Sequence, residues 1–408
     1  MSEERKKAKL ATNEFSTLLD LLGIEGEREI VLEDVEINAN ELVLYSSGLP
    51  SRAMEHVRPA VLPPVEKPKA LLEASFTPFL QEYPGSVREV TLGATKNKGG
   101  SRGKTVTIGG ATTPAFYLFE KTPAHSPAIS IDVFDMKISL PKAIRMHVEE
   151  VWDDPVAWAK MAVDKWNVDL LTIHLLSTDP LINDTSPKEA AKTVEEVLQA
   201  VDVPLIIGGC GDPKKDAELF TKIAEVASGE RILINSLTLD MDEAGVLEGV
   251  AKAAGEHDQL VLAFTALDLN RAKELNRKLY EFIPEENIIM DMTTAALGYG
   301  LEYSFTIHER ARMSALMGDK ELQHPTLSGT TNAWAAREAW MKMGPEWEPK
   351  EQRGPLWECD TALILLLAGV DLFMMMHPAA INTMKTVINE FMNPSKAQRG
   401  KIDNWVSS

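Results

Sequence analysis

From about residue 128 onward, the sequence repeats one pattern eight times: a short apolar run followed by a stretch with one polar helical face. The runs fall at 129–133, 170–175, 204–207, 232–236, 260–264, 288–292, 326–329 and 370–375. Each is rich in β-branched or long aliphatic residues and carries little or no charge, as a parallel strand covered on both faces should. The intervening helices have readable starts. Ser186-Pro187-Lys188-Glu189 is a capping box with proline at the first helical position, and Ala190, Val194, Val197, Leu198 and Val201 then share one face. Asp212-Pro213 opens the next helix, and Asp268 caps one that runs to Tyr280. Strand and helix alternating at intervals of about 27–44 residues predict an α/β fold, a (β/α)8 TIM barrel. An open doubly wound sheet wants a glycine-rich turn after its first strand, and Phe134-Asp135-Met136 offers none.

The first hundred residues differ. Residues 12–23 suit a short amphipathic helix through Phe15, Leu18, Leu19 and Leu22, and 29–32 and 41–45 are strand-like. HVRPAVLPPVEKP follows, where Pro59, Pro63, Pro64 and Pro68 favour an extended tether. Residues 87–109 read as a β-hairpin, with strands at 87–92 and 105–108. Its loop, GGSRGKT, resembles the end of a phosphate-binding P-loop, but position 98, where that pattern needs glycine, is Lys98. A strand rather than a helix follows, so no helix dipole would back the phosphate. The expected organisation is an extension over 1–86, a barrel with its hairpin over 87–395, and a tail over 396–408.

Forty-two basic against 61 acidic residues give a net charge of −19, which repels nucleic acid phosphates. Cys210 and Cys359 are the only cysteines, too few for an iron–sulfur cluster, and read as reduced thiols of a cytoplasmic protein. Arg5, Lys6, Lys7 and Lys9 precede no apolar stretch, so no signal peptide is expected. The greasiest segment, 362–376, is broken by Gly369 and Asp371 and falls short of the roughly 20 residues that span a bilayer. There is no HExxH, CxxC pair or nucleophile elbow, so protease, zinc and serine-hydrolase chemistry have no support.

Barrels of this class bind ligands at the C-terminal ends of their strands. After the second run come His174, Ser177, Thr178 and Asp179, and after the third Gly208-Gly209-Cys210-Gly211. The fourth ends in Asn235 and Ser236, the fifth in Thr265, and the sixth in Asp291-Met292-Thr293-Thr294. Thr330, Thr331 and Asn332 follow the seventh run, and His377 the eighth. Neutral donors and acceptors dominate, without a lysine clamp or arginine cluster, which suits a large amide-rich ligand better than a phosphoester. Each has a plainer role open to it: His174 and His377 as barrel-end histidines, Asp291 as a strand-end anchor, Cys210 as packing, the glycines as tight turns. Met374 to Met376 suit barrel filling.

Several long blocks carry a family resemblance: IDVFDMKISLPKAIR (131–145), DPVAWAK (154–160), HLLSTDP (174–180), VPLIIGGCGDPKKD (203–216), DMTTAALGYGLEYSFTIHERARMSALMGD (291–319), TNAWAAREAWM (331–341), RGPLWE (353–358) and AGVDLFMMMHP (368–378). Over roughly 87–393 the chain resembles the delta-subunit family of acetyl-CoA decarbonylase/synthase, whose bacterial counterpart is the small subunit of the corrinoid iron–sulfur protein. The resemblance implies a TIM barrel similar to pterin-binding methyltransferases. It also implies a gamma-subunit partner holding the iron–sulfur cluster and much of a corrinoid site, with the corrinoid between the two chains over the barrel mouth. The methyl group would pass from a methylated tetrahydropterin to the nickel–iron–sulfur cluster of the beta subunit, or back in acetate cleavage. The long N-terminal region resembles the archaeal form found in methanogens. No DxHxxG cobalt-ligating signature is present. Residues expected near corrinoid or pterin are His174, Ser177, Thr178, Gly209, Asp291, Thr293, Thr330, Thr331 and Asn332. Two other roles stay open: a methyltransferase acting alone, with Asn235 and Asp291 gripping a pterin, or a scaffold docking the larger complex through 1–86.

Overall fold

A computed structural model describes residues 81–117, 123–166 and 168–393. The 12–23 helix, the strand-like pieces at 29–32 and 41–45, the tether and the 396–408 tail lie outside the described residues. Two strands come first, β1 (Glu89–Leu92) and β2 (Val106–Gly109), paired antiparallel with Glu89 opposite Gly109. Every one of the eight apolar runs is a strand: β3 (Ala128–Phe134), β4 (Leu170–His174), β5 (Leu205–Gly208), β6 (Leu233–Leu237), β7 (Leu260–Phe264), β8 (Ile288–Asp291), β9 (Thr326–Ser328) and β10 (Leu372–Met375). They close in the order β10-β3-β4-β5-β6-β7-β8-β9, all neighbours parallel. Closure leaves no unpaired edge.

The helices are α1 (Lys142–Val148), α2 (Pro155–Trp166), α3 (Pro187–Ala200), α4 (Pro213–Val226), α5 (Leu239–Glu243), α6 (Leu247–Glu256), α7 (Leu269–Leu279), α8 (Leu301–Leu316), α9 (Lys350–Ala368) and α10 (Pro378–Met392). The three expected caps are in place. Ser186 and Glu189 bond reciprocally as a capping box, Asp212 accepts from Lys214 and Lys215 N–H, and Asp268 from Asn270 and Arg271 N–H.

Strand alternation divides the core in two. Ile129, Ile131 and Val133 of β3 pack outward with the helices, while Ala128 belongs to an inner cluster with Leu170, Leu233, Leu260 and Leu372. These five open their strands, and Val90, Leu92 and Ile108 of the hairpin join them. The hairpin therefore plugs the N-terminal end of the barrel. Gly93 N–H donates to Arg231 O at 2.9 Å, and Gly93 has φ +80° with no room for a side chain, since a Cβ would fall 2.7 Å from Pro204 Cγ. The basic residues of the P-loop-like segment are committed to this plug. Arg102 reaches the C-terminal carbonyls of α3, and Lys104 Nζ donates to Val168 O at 3.0 Å.

Candidate functional site

With one end plugged, the C-terminal mouth is where the inward strand positions can meet a ligand. Asp132, on β3, is 1 % exposed. Its Oδ2 accepts a hydrogen bond from Thr331 Oγ1, in the loop after β9. Its Oδ1 lies 3.3 Å from His174 Nε2 but off hydrogen-bond alignment, so both atoms are buried without a hydrogen-bond partner. The His174 ring stacks on Phe134, centroids 5.0 Å apart and planes at 20°. Deeper in, Ser130 Oγ and Thr172 Oγ1 bond at 2.7 Å, and Asn235 Nδ2 approaches Met374 Sδ at 3.5 Å from the opposite wall.

The other residues singled out from the sequence also gather at this end, mostly engaged with the protein itself. Ser177 Oγ donates to Asp135 Oδ2 at 2.5 Å, and its N–H to Asp135 Oδ1 at 3.1 Å. Thr178 is fully buried, with its hydroxyl on Leu175 O. Gly209 is glycine because the chain hugs a carboxylate: a Cβ there would stand 2.2 Å from Asp216 Oδ1. Asp216 in turn accepts Cys210 N–H and Gly211 N–H, both at 2.8 Å. Thr330 is buried in a hydroxyl chain, Thr294 to Ser328 to Thr330, at 2.8 and 2.9 Å. Asn332 is exposed and donates to Thr294 O at 3.1 Å.

Asp291, ending β8, accepts Thr293 N–H at 2.7 Å through Oδ1, and among the described residues no hydrogen bond to Oδ2 is formed. Thr293 has φ +83° and Leu267, in the neighbouring loop, φ +53°. A β-branched residue in that region is strained, and such strain collects at ligand sites. The two loops are tied by Thr293 Oγ1 donating to Thr265 O at 3.2 Å.

Sequence reasoning found Asp291 but missed two other buried acids, Asp132 and Glu358. Asp132 stands inside the run 129–133, and a carboxylate within an otherwise apolar strand was the signal for it. Glu358, on α9, is 0 % exposed and accepts Met376 N–H at 2.6 Å and His377 N–H at 3.0 Å. The helical setting of RGPLWE gave no sign of that. His377 caps α10, its Nδ1 accepting Ala379 N–H, with its ring against Trp334.

Burial sets the protonation of several of these groups. It raises Asp291 to about 7 against its Thr293 bond, and Glu358 to about 8 against its two N–H donors. Burial lowers His308 to about 4, His377 to about 4 and His324 to about 3. The two raised acids favour folding at low pH, and their contribution is lost as pH rises through about 7 and about 8. The three lowered histidines favour folding above about 6.5, and theirs is lost as pH falls toward about 4 and about 3. Stability should therefore peak near pH 6.5 and fall by about 1 kcal/mol by pH 8, because the last part of the histidine gain offsets about half of what the two acids lose. Asp135, Asp216 and Asp371, also raised by burial, offset part of the acid-side loss. Urea midpoints between pH 5 and 8.5 test this; a flat or rising profile from 6.5 to 8 contradicts it.

Around the mouth, the strand-to-helix loops carry exposed apolar side chains. Leu181 (94 % exposed) and Ile182 follow β4, Leu267 follows β7, Tyr299 follows β8, and Trp340 and Met341 follow β9. These six side chains stand on four of the eight strand-to-helix loops.

The family model for the CO dehydrogenase/acetyl-CoA synthase delta subunit matches residues 89–399. This chain belongs to that family. Relatives include the acetyl-CoA decarbonylase/synthase complex subunit delta of Archaeoglobus fulgidus, 53 % identical over 81 % of this chain and 75 % of that one. The delta 1 subunit of Methanosarcina thermophila is 49 % identical over 89 % and 84 %, and the delta subunit of Methanothermobacter thermautotrophicus 42 % over 97 % of each. Among solved structures, a Yersinia pestis dihydropteroate synthase in a sulfonamide drug complex gives a TM-score of 0.46 at 16 % identity, covering 69 % of this chain and 99 % of that one. These relatives are subunits of a larger complex. Among the described residues, no helix is long and apolar enough to cross a membrane, and no group of three or more His, Cys, Asp or Glu could hold a metal ion.

Proposed function

We propose that this delta-family chain covers a corrinoid held by a gamma subunit, in a cytoplasmic complex that moves a methyl group between a tetrahydropterin and the acetyl-CoA synthase cluster of a beta subunit. A corrinoid would supply a strongly nucleophilic, easily oxidised cobalt(I). The observation that carries the proposal is a mouth with neutral or unpartnered polar groups inside and apolar side chains around. Asp132 Oδ1 and His174 Nε2 are buried without hydrogen bonds to the described residues. That donor set fits an amide-rich, weakly charged macrocycle. His174, Asp291, Thr331 and Asn332 would meet its edge, while Leu181, Ile182, Tyr299 and Trp340 would pack on the gamma subunit and keep water out. Asp291, neutral in good part at pH 7, would offer a hydrogen-bond donor without adding a full negative charge to the mouth.

The test is to purify the gamma subunit with and without this chain and compare cobalt content, optical spectrum and cobalt(I) lifetime. The pair should retain more corrinoid and protect the reduced metal. If the gamma subunit alone binds and cycles corrinoid normally, the covering role is wrong. A second role, pterin binding in the barrel, is favoured by Asp291 Oδ2, which has no hydrogen bond among the described residues, and by Asn235 reaching Met374 across the barrel. Binding of methyl-tetrahydropterin by the isolated full-length chain would support it.

A further inference from the structure

Asp132 sits in an unusual position for a carboxylate. It is 1 % exposed, Thr331 holds Oδ2, and Oδ1 has no hydrogen bond among the described residues and lies 3.3 Å from His174 Nε2. Burying a charged oxygen without donors is costly, so it persists where its neighbour's tautomer or a ligand uses it. A carboxylate beside Nε2 favours the tautomer that carries the proton there, which leaves Nδ1 a bare acceptor.

The surroundings keep Nδ1 available. The His174 side chain is 19 % exposed against 1 % for Asp132, and stacking on Phe134 fixes its plane. Nδ1 has no hydrogen bond to the described residues. The residue paired with His174 on β5 is Gly208, where a Cβ would stand 3.0 Å from Nδ1. Glycine there leaves that side of the ring uncovered. The result is an imidazole aligned from behind by a buried acid and open toward the mouth.

We propose that the Asp132–His174 pair anchors a neutral N–H donor, and that on a corrinoid it takes one of the primary carboxamides at the rim of the macrocycle. This rests on the corrinoid assignment above. The amide N–H donates to His174 Nδ1, Nε2–H turns onto Asp132 Oδ1, and Thr331 holds the second oxygen; no covalent bond changes. A carboxylate in place of that amide has no proton to give, so the site discriminates between the two.

The experiment uses the full-length chain paired with its gamma subunit, with aquocobalamin and its monocarboxylic acids, each lacking one primary amide, as probes. At least one monocarboxylic acid should bind about tenfold more weakly than the parent, the effect of one lost hydrogen bond. Asp132→Asn, His174→Phe and Gly208→Ala should each weaken aquocobalamin binding by about tenfold or more, with Gly208→Ala acting by covering Nδ1. Independently of any corrinoid, 15N spectra of the His174 ring should show the Nε2–H tautomer, and Asp132→Asn should release it. An Nδ1–H ring, or wild-type affinity in all three variants, overturns the anchor. Equal binding of every probe overturns it too. If omitting this chain leaves corrinoid retention unchanged, the covering role itself has failed.

Discussion

Replacing Glu358 by alanine should lower stability by about 3–6 kcal/mol, among the largest losses a single substitution in this barrel can produce. The carboxyl is fully buried and is the acceptor for two consecutive backbone N–H groups, those of Met376 and His377. Each N–H left buried without an acceptor costs about 1–3 kcal/mol, and the deleted methylenes leave a void on top of that. The bonds sit where β10 ends and α10 begins, so Glu358 pins the last strand-to-helix turn to α9. Glu358→Gln keeps one acceptor oxygen but turns an amide N–H2 toward the other N–H, and should lose about half as much. Because it also removes a group raised to about 8, it should flatten the alkaline fall in stability. Urea denaturation of the full chain reads both effects. A loss under about 1 kcal/mol for the alanine variant would mean that the turn satisfies its N–H groups in another way.

The second large effect is expected at the opposite end. Arg102 is 3 % exposed, and all five of its N–H groups are engaged. Nε donates to Glu230 at 2.8 Å, one terminal nitrogen to Val201 O and Val203 O at 2.7 and 3.3 Å, and the other to Leu198 O and Ser101 Oγ at 2.6 and 2.7 Å. The guanidinium thus lies against the negative end of α3 and binds the hairpin loop to the barrel floor. Arg102→Ala should cost about 3–5 kcal/mol, the range for breaking a buried ion pair from one side. Arg102→Lys should recover little, since an ammonium has three donors on a flexible stem and cannot match the fork. Faster hydrogen exchange in β1 and β2 than in β3 would locate the damage at the plug. Uniform exchange throughout would count against a local role.

The P-loop-like segment shows why local spacing and tertiary role part company. GGSRGKT offers the glycines and the basic residue of an anion site, yet Arg102 and Lys104 face backbone carbonyls of the barrel floor. Carbonyls at a helix C-terminus attract a cation as surely as a phosphate does. Only the fold says which of the two is within reach.

The eight strands, their order of closure and the three helix starts were legible in the sequence, because they depend on local chemistry. Apolar runs of strand length and caps such as Ser186, Asp212 and Asp268 act over a few residues, and their period is visible in one dimension. The end of the barrel that would carry the site followed from the same pattern. The partnerships within that end were not legible. Thr331 and Asp132 are separated by 199 positions, and Glu358 meets Met376 across a strand and a loop. Such contacts are fixed by how strands and helices pack around a closed cylinder, and the proton affinities of the buried acids follow from the water that packing removes. The chain by itself specified a barrel with polar strand ends; tertiary burial decided which of those groups stay free to meet a ligand.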